Sequence, residues 1–217
     1  MIPESIRQLI APRDDVFYAF FNTGALALVN MTDCLDRILL ETEPTQEKWL
    51  AYIQEMRMLY GDSRENYKHT VKRLSKVFIT PIDRESVHQF SVDLHAIARS
   101  IYLVPRTISW EAGNNPDSYV KYLGHLLNKS ALEFELMAQD IGTTQRRLVM
   151  KQARKLTAIK REMEIAYDHA LQSLFKNKDE PAKFIRKLDA YNAFIDAGNC
   201  FINAAQTAEG IVLTHVG

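Results

Sequence analysis

An all-α fold of long helices is what this sequence predicts, on three observations. The chain carries 8 glycines and 7 prolines in 217 residues, a little over half the usual combined share of about 12%, so its elements run long. Between the prolines, at positions 3, 12, 44, 81, 105, 116 and 181, apolar residues recur at three- and four-residue steps. No segment alternates apolar and polar residues between hairpin turns, as a strand would. With 47% hydrophobic residues, a chain of this length buries about 70% of its unfolded surface, enough for one sizeable core or two small fused ones.

Six helical blocks follow in order. The first is expected from about Asp14 to Glu41, opened by the acidic pair Asp14 and Asp15, which suits the positive end of a helix dipole. Its apolar face is Phe17, Phe20, Phe21, Leu28, Val29, Met31, Leu35, Ile38 and Leu39. The second spans about Thr45 to Phe78, with Thr45 as N-cap. Trp49, Tyr52, Ile53, Met56, Leu59, Tyr60, Tyr67, Val71 and Leu74 form its apolar face, and Gly61-Asp62-Ser63 is a predicted kink. Pro81 ends it, and Asp83 caps the third helix, whose face is Val87, Phe90, Leu94, Ile97 and Ile101.

A loop is expected from Pro105 to Asp117, with Gly113-Asn114-Asn115-Pro116 as the boundary between halves. The fourth helix, Asp117 to Asp140, carries Tyr119, Tyr122, Leu123, Leu126, Leu127, Leu132, Phe134 and Leu136, with Gly142 as its C-terminal stop. The fifth runs from Thr144 to Phe175 and the sixth from Pro181 to about His215, with proline in its first turn. Leu74, Val77 and Phe78 recur as Leu171, Leu174 and Phe175, 97 residues on. That suggests pseudo-repeats of about 13–110 and 114–217 within one domain.

Charge and cysteine usage exclude several functions. With 27 basic and 27 acidic side chains, the chain lacks the cationic excess of a general nucleic-acid binder. Cys34 and Cys200 supply neither a disulfide framework nor a structural zinc site. No apolar run approaches the roughly 20 residues needed to span a bilayer, and no basic-then-apolar leader opens the chain. A soluble cytoplasmic protein without a transmembrane segment is expected. No Ser/His/Asp set, phosphate-cradling glycine loop or nucleotide fingerprint can be assembled, so no enzyme is expected.

Two stretches are more specific than periodicity. The run KRLSKVFITPIDRE from Lys72 to Glu85, followed by Ser86, Val87 and His88, closely resembles the junction between the second and third helices of the PhoU-like family of phosphate transport regulators. Phe78 to Glu85 looks like that family's hallmark, and AEGIVLTH at 208–215 is similar to its C-terminus. The resemblance implies two three-helix bundles in tandem, a frequent homodimer, and a cytoplasmic protein, peripheral at the inner face of the membrane, that binds a phosphate transporter or its regulatory protein. Thr80, Pro81, Asp83, Arg84, Glu85 and His88 are the hallmark and interaction candidates.

The resemblance also implies multinuclear iron or zinc clusters held by E/D-x-x-x-D motifs, because carboxylates four apart share a helix face and can bridge cations. The corresponding positions here are Tyr60 and Arg64 on the second helix, His95, Ala96 and Arg99 on the third, Lys160 and Glu164 on the fifth, and Asn199 and Asn203 on the sixth. A multinuclear cluster without carboxylates would leave its positive charge uncompensated, so no metal cofactor is expected. Iron or zinc remains the alternative, with Glu164 and Asp168 as weak ligands, drawing on Glu133, Glu162 and His169.

Other residues have both a functional and a structural reading. Glu164 and Asp168 could bind metal or form a solvated face on which Asp168 pairs with a basic neighbour. His88 and His95, with Arg99, could form an anion-responsive patch or simply pack. The basic tract Arg146, Arg147, Lys151, Arg154, Lys155, Lys160 and Arg161 could meet membrane, phosphate or an acidic partner loop, or be balanced by Glu133, Glu135, Asp140 and Glu162. Cys34 and Cys200 are expected in the core. Arg84, which capping does not explain, either pairs with an acid on another helix or faces a partner.

Overall fold

Local capping chemistry sets where three of the six helices begin. In the computed structural model, which describes residues 16–43, 45–77, 80, 82–108, 116–143, 145–176 and 180–214, six α-helices form and no strand occurs among the described residues. They are α1 (Val16–Leu40), α2 (Gln46–Leu74), α3 (Arg84–Thr107), α4 (Ser118–Gly142), α5 (Arg146–Lys176) and α6 (Pro181–Thr214). Thr45 Oγ1 accepts from the Lys48 amide at 3.2 Å. Asp83 Oδ1 accepts from Glu85 and Ser86 at 2.9 and 3.1 Å, and Asp117 Oδ1 from Tyr119 and Val120 at 3.0 Å each. Each carboxylate or hydroxyl satisfies amides that the first turn leaves without an intrahelical acceptor.

Several boundaries differ from the sequence expectation. Asp14, Asp15, Phe78, Pro81, the Gly113–Asn115 stretch, Thr144 and His215 lie outside the described residues. The Gly61-Asp62-Ser63 stretch does not interrupt α2: the helix continues through it with Ser63 buried, because one glycine costs only about 1 kcal/mol in a helix interior. Pro105 does not start a loop but lies buried in the last turn of α3, where its carbonyl accepts from Ile108 N at 3.3 Å. Gly142 is not a left-handed stop. It is the last residue of α4, the cap is Thr143 with φ −88°, and a Cβ on Gly142 would come within 3.3 Å of the Tyr18 side chain. Close approach of α1 is what glycine permits there.

The helices pack as a ring of four with two attached outside. α1 packs on α3 and α4, and α6 packs on the same two; α2 touches α1 and α3, while α5 touches α4 and α6. Position in this arrangement decides burial. The central α1 buries twelve residues, the outer α2 only Met56, Ser63, Thr70 and Leu74. Thus Trp49, Tyr52, Leu59 and Tyr60, expected on an apolar face, are only partly buried. Tyr122, Leu132 and Leu136 of α4 and Ile185 of α6 are exposed.

One phenylalanine from each central helix meets at the middle. Phe21 lies 4.6 Å from Phe90, Phe90 lies 5.8 Å from Phe134, and Phe134 lies 5.6 Å from Phe201, centroid to centroid. These separations fall in the favourable range for ring pairs, and all four rings are essentially fully buried. Polar contacts fix the register around them. Asn128 Nδ2 donates to Asp33 Oδ1 at 2.6 Å between α4 and α1; buried Asp93 of α3 accepts from Thr207 of α6 at 2.5 Å and from Gln89 at 2.9 Å.

Candidate functional site: an arginine and aromatic seam between α2 and α3

Because α2 and α3 run antiparallel, two helical stripes face each other in register. Arg57, Tyr60, Arg64 and Tyr67 recur at three- and four-residue steps on α2, and His95, Arg99, Tyr102 and Arg106 do so on α3. The four rings form one continuous stack: Tyr67 on His95 at 5.1 Å, His95 on Tyr60 at 5.8 Å, and Tyr60 on Tyr102 at 4.5 Å, all within 16° of parallel. Arg106 closes one end, its guanidinium 4.8 Å over the Tyr102 ring and its Nη2 donating to the Tyr102 hydroxyl at 3.0 Å. The rings are half-buried and all four arginines are exposed, so the apolar stems cover the rings while the charges face outward.

The titratable groups respond to this crowding. Burial pushes the His95 pKa below its ordinary 6.5, and Arg64 and Arg99 push it further down. The imidazole in the stack is therefore neutral at pH 7. The Tyr102 phenol is lowered, first by the Arg106 hydrogen bond, with Arg57 acting in the same direction. None of Arg57, Arg64, Arg99 and Arg106 has a carboxylate within 4.0 Å among the described residues. Behind His95 lies a cavity of about 10 Å³, lined in part by Gly24, Ser63, Asn66 and Thr70. The His95 Nδ1 atom is buried with no hydrogen-bond partner among the described residues.

The implied metal clusters do not fit these side chains. The positions where the resemblance calls for carboxylates on α2 and α3 hold Tyr60 and Arg64, His95 and Arg99, which are parts of the cationic seam. On α5, Lys160 Nζ donates to Glu164 Oε1 at 2.8 Å, and the Lys160 stem would lie 3.3 Å from a Cβ on Gly198 of α6. A lysine thus holds the one carboxylate retained there, while Asp168 is exposed. It is Glu164, not Asp168, that pairs with a basic neighbour. Glu133 is held by Lys155 at 2.8 Å and Glu162 by Lys129 at 3.8 Å. Among the described residues no three His, Cys, Asp or Glu side chains converge as a metal ion requires.

Of the hallmark candidates, Asp83, Arg84 and Glu85 serve the start of α3. Asp83 caps α3, Glu85 lies in its first turn, and Arg84 Nη1 donates to the Val77 carbonyl at 2.5 Å. Arg84 therefore ties the turn back to the end of α2, which is neither alternative expected of it. Thr80 is half-buried, His88 is exposed, and Pro81 lies outside the described residues. His88 is thus separated in environment from His95, which the stack holds.

Other groups offer less. A shallow depression of about 290 Å³ between α4 and α5 is lined by Tyr119, Tyr122, Glu162, Ile165 and His169. The basic tract on α5 is partly neutralised, by Glu133 on Lys155 and Glu164 on Lys160. Cys34 is buried, its thiol pushed up to about 11 by desolvation, with Glu55 adding and Arg37 opposing. Burial likewise raises the Cys200 pKa. Neither thiol is activated, since the thiolate is the reactive form. No helix of the described residues is long and apolar enough to cross a membrane.

Sequence reasoning met Tyr60 as part of an apolar face, His95 and Arg99 with His88 as a candidate anion-responsive patch, and Arg64 only as an absent carboxylate, and it did not join the four. The signal for the seam was present, as arginine and aromatic residues alternating at helical spacing on two consecutive helices. Recognising it needed the register between those helices.

Comparison with known proteins gives a distant similarity. The chain is 21% identical to UPF0111 protein YkaA of Bacillus subtilis (strain 168) over 157 residues, covering 72% of this chain and 77% of that protein. No family model matches the chain.

Proposed function

We propose that this protein is a PhoU-like regulator of phosphate transport that works by binding a phosphate transporter or its regulatory partner, without a multinuclear metal cluster. It is not an enzyme in this reading. It acts in the cytoplasm or peripherally at the inner face of the membrane, and forms a homodimer. The observation that carries the proposal is the seam: positions at which the family resemblance calls for metal-binding carboxylates belong to a stack of rings flanked by four arginines that have no carboxylate in ion-pair range among the described residues. A cationic exposed surface of this kind is suited to association. The all-helical bundle and the distant similarity to a UPF0111 protein support the family reading, although fold alone does not set function.

Two measurements test it. Phosphate uptake should change when the gene is deleted from its host and recover when the chain is restored; unaltered uptake at both limiting and ample phosphate overturns the regulatory reading. Elemental analysis of protein purified without chelators, before and after aerobic loading with iron and zinc, should give a metal-to-protein ratio near zero. A reproducible ratio of one or more per chain would overturn the cluster-free reading and send attention to Glu164 and Asp168.

A further inference from the structure

We infer that the α2–α3 seam is a docking surface for an acidic segment of a partner protein, gripped by Arg57 and Arg106 at one end and Arg64 and Arg99 at the other. This rests on the association reading above and names the surface and the chemistry of the segment it takes. Charge is the first argument. The chain as a whole is neutral, with 27 basic and 27 acidic side chains, yet these four guanidiniums share one seam with no carboxylate in ion-pair range among the described residues. Elsewhere the protein places acids against its cations, as in Lys155 with Glu133, Arg37 with Glu55, and Lys160 with Glu164.

Preorganisation is the second argument. Arg106 is already stacked on Tyr102, and the stacked rings form a floor between the two arginine pairs. A planar guanidinium so held loses less freedom on gripping a carboxylate than a free side chain would. Arginine and tyrosine are also the side chains on which binding energy concentrates at protein interfaces. Spacing is the third argument. Seven residues separate the arginines on each helix, about 10 Å at 1.5 Å per residue. Acidic residues three apart on a polyproline II segment, which recur on one face at about 3.1 Å per residue, or seven apart on a helix, match that interval. A single phosphate ion is too small to bridge it, and a file of charges along one groove suits a linear ligand better than a planar membrane.

The test uses the full chain and fluorescence anisotropy at low and moderate salt. The probe is a labelled peptide of about twelve residues with glutamate at every third position and tyrosine between, with its glutamine counterpart, sodium tripolyphosphate and phosphatidylserine vesicles as competitors. The acidic peptide should bind, the glutamine peptide should not, and affinity should fall with salt. Arg64→Glu/Arg99→Glu should weaken binding at least 30-fold, while Arg154→Glu/Arg161→Glu on α5 should change it less than threefold. Circular dichroism checks that each variant folds, and Arg64→Gln/Arg99→Gln gives a milder second reading, expected at about tenfold.

No peptide binding, equal loss from the α5 variant, or binding of vesicles or tripolyphosphate in preference to peptide each overturn the proposal. Co-purification with a detergent-solubilised phosphate transporter separates it from the function proposed above. If the transporter binds wild type and Arg64→Glu/Arg99→Glu alike, the seam assignment fails and the regulatory reading stands. If the seam binds acidic peptide but the transporter is not retained, the seam stands and the transporter is not its partner.

Discussion

Truncating Phe134 removes the ring that joins the two sides of the central four-helix ring. Its side chain is fully buried, 5.8 Å from Phe90 of α3 and 5.6 Å from Phe201 of α6. A buried Phe→Ala change costs about 3–5 kcal/mol, and two ring contacts place Phe134→Ala toward the middle or top of that range. For a chain of this length each kcal/mol lowers Tm by about 2–4 °C, so a loss of about 4 kcal/mol means a fall of about 8–16 °C. Phe184 serves as the reference. It is only partly buried and meets Phe175, itself 71% exposed, so Phe184→Ala should cost about 1 kcal/mol, as most substitutions outside a core do. Urea unfolding followed by circular dichroism, with matched thermal melts, measures both. A loss below about 2 kcal/mol for Phe134→Ala at unchanged denaturant slope, or one no larger than for Phe184→Ala, would refute the idea that this ring couples the halves.

Three other expectations follow from local geometry. Gly124→Ala and Gly61→Ala should have opposite signs: a Cβ at 124 would lie 2.2 Å from Cδ1 of buried Leu39, whereas one at 61 meets nothing within 4 Å. Overpacking of about 1–3 kcal/mol outweighs the helix-propensity gain of about 1 kcal/mol at the first site only, which denaturant midpoints will register. Asp117→Ala should cost more than Thr45→Ala, because both caps contribute about 1 kcal/mol but Asp117 Oδ2 also accepts from the hydroxyl of buried Tyr191 at 2.6 Å; equal losses on unfolding would contradict this. Since the folded-state pKa of His95 is depressed by burial, by Arg64 of α2 and by Arg99 of α3, the unfolded chain binds the proton first. Stability therefore falls as pH drops through about 6.5 toward the folded pKa, and His95→Gln should lose less than wild type between pH 7.5 and 5.5, a comparison to pair with NMR titration of the ring.

Local chemistry was legible in the sequence, and assembly was not. Thr45 and Asp83 were readable as caps, and Asp117 as the start of the fourth helix, because capping depends on a few adjacent residues. Val87, Phe90, Leu94, Ile97 and Ile101 were readable as a buried face and are all buried, because α3 lies in the central ring. The same periodicity misjudged Tyr122, Leu132 and Leu136, which point outward from an equally apolar-looking helix. Because α4 is as central as α3, which of its faces meets the neighbouring helices is a tertiary fact. Gly142 illustrates the same divide: read locally it is a helix stop, whereas its neighbour Tyr18, more than a hundred residues away in sequence, explains the missing side chain. The seam lay beyond reading for a related reason, since its ring stack needs the pairing of Tyr60 with both His95 and Tyr102.

The thin attachment of α2 has a dynamic consequence. Of its four buried residues only Met56 and Leu74 are apolar, and Trp49, Tyr52, Leu59 and Tyr60 are only partly buried, so less hydrophobic free energy opposes its lifting from the bundle than holds α1 within the central ring. Elements with few buried contacts open in sub-global steps at a fraction of the global unfolding free energy, and their amides exchange with solvent deuterons accordingly early. A ligand held simultaneously by arginines of α2 and of α3 binds only when α2 is docked. By mass action it deepens that state by RT ln(1 + [L]/Kd), so occupancy of the outer seam would be written into the exchange rates of a helix whose inner face the ligand never touches.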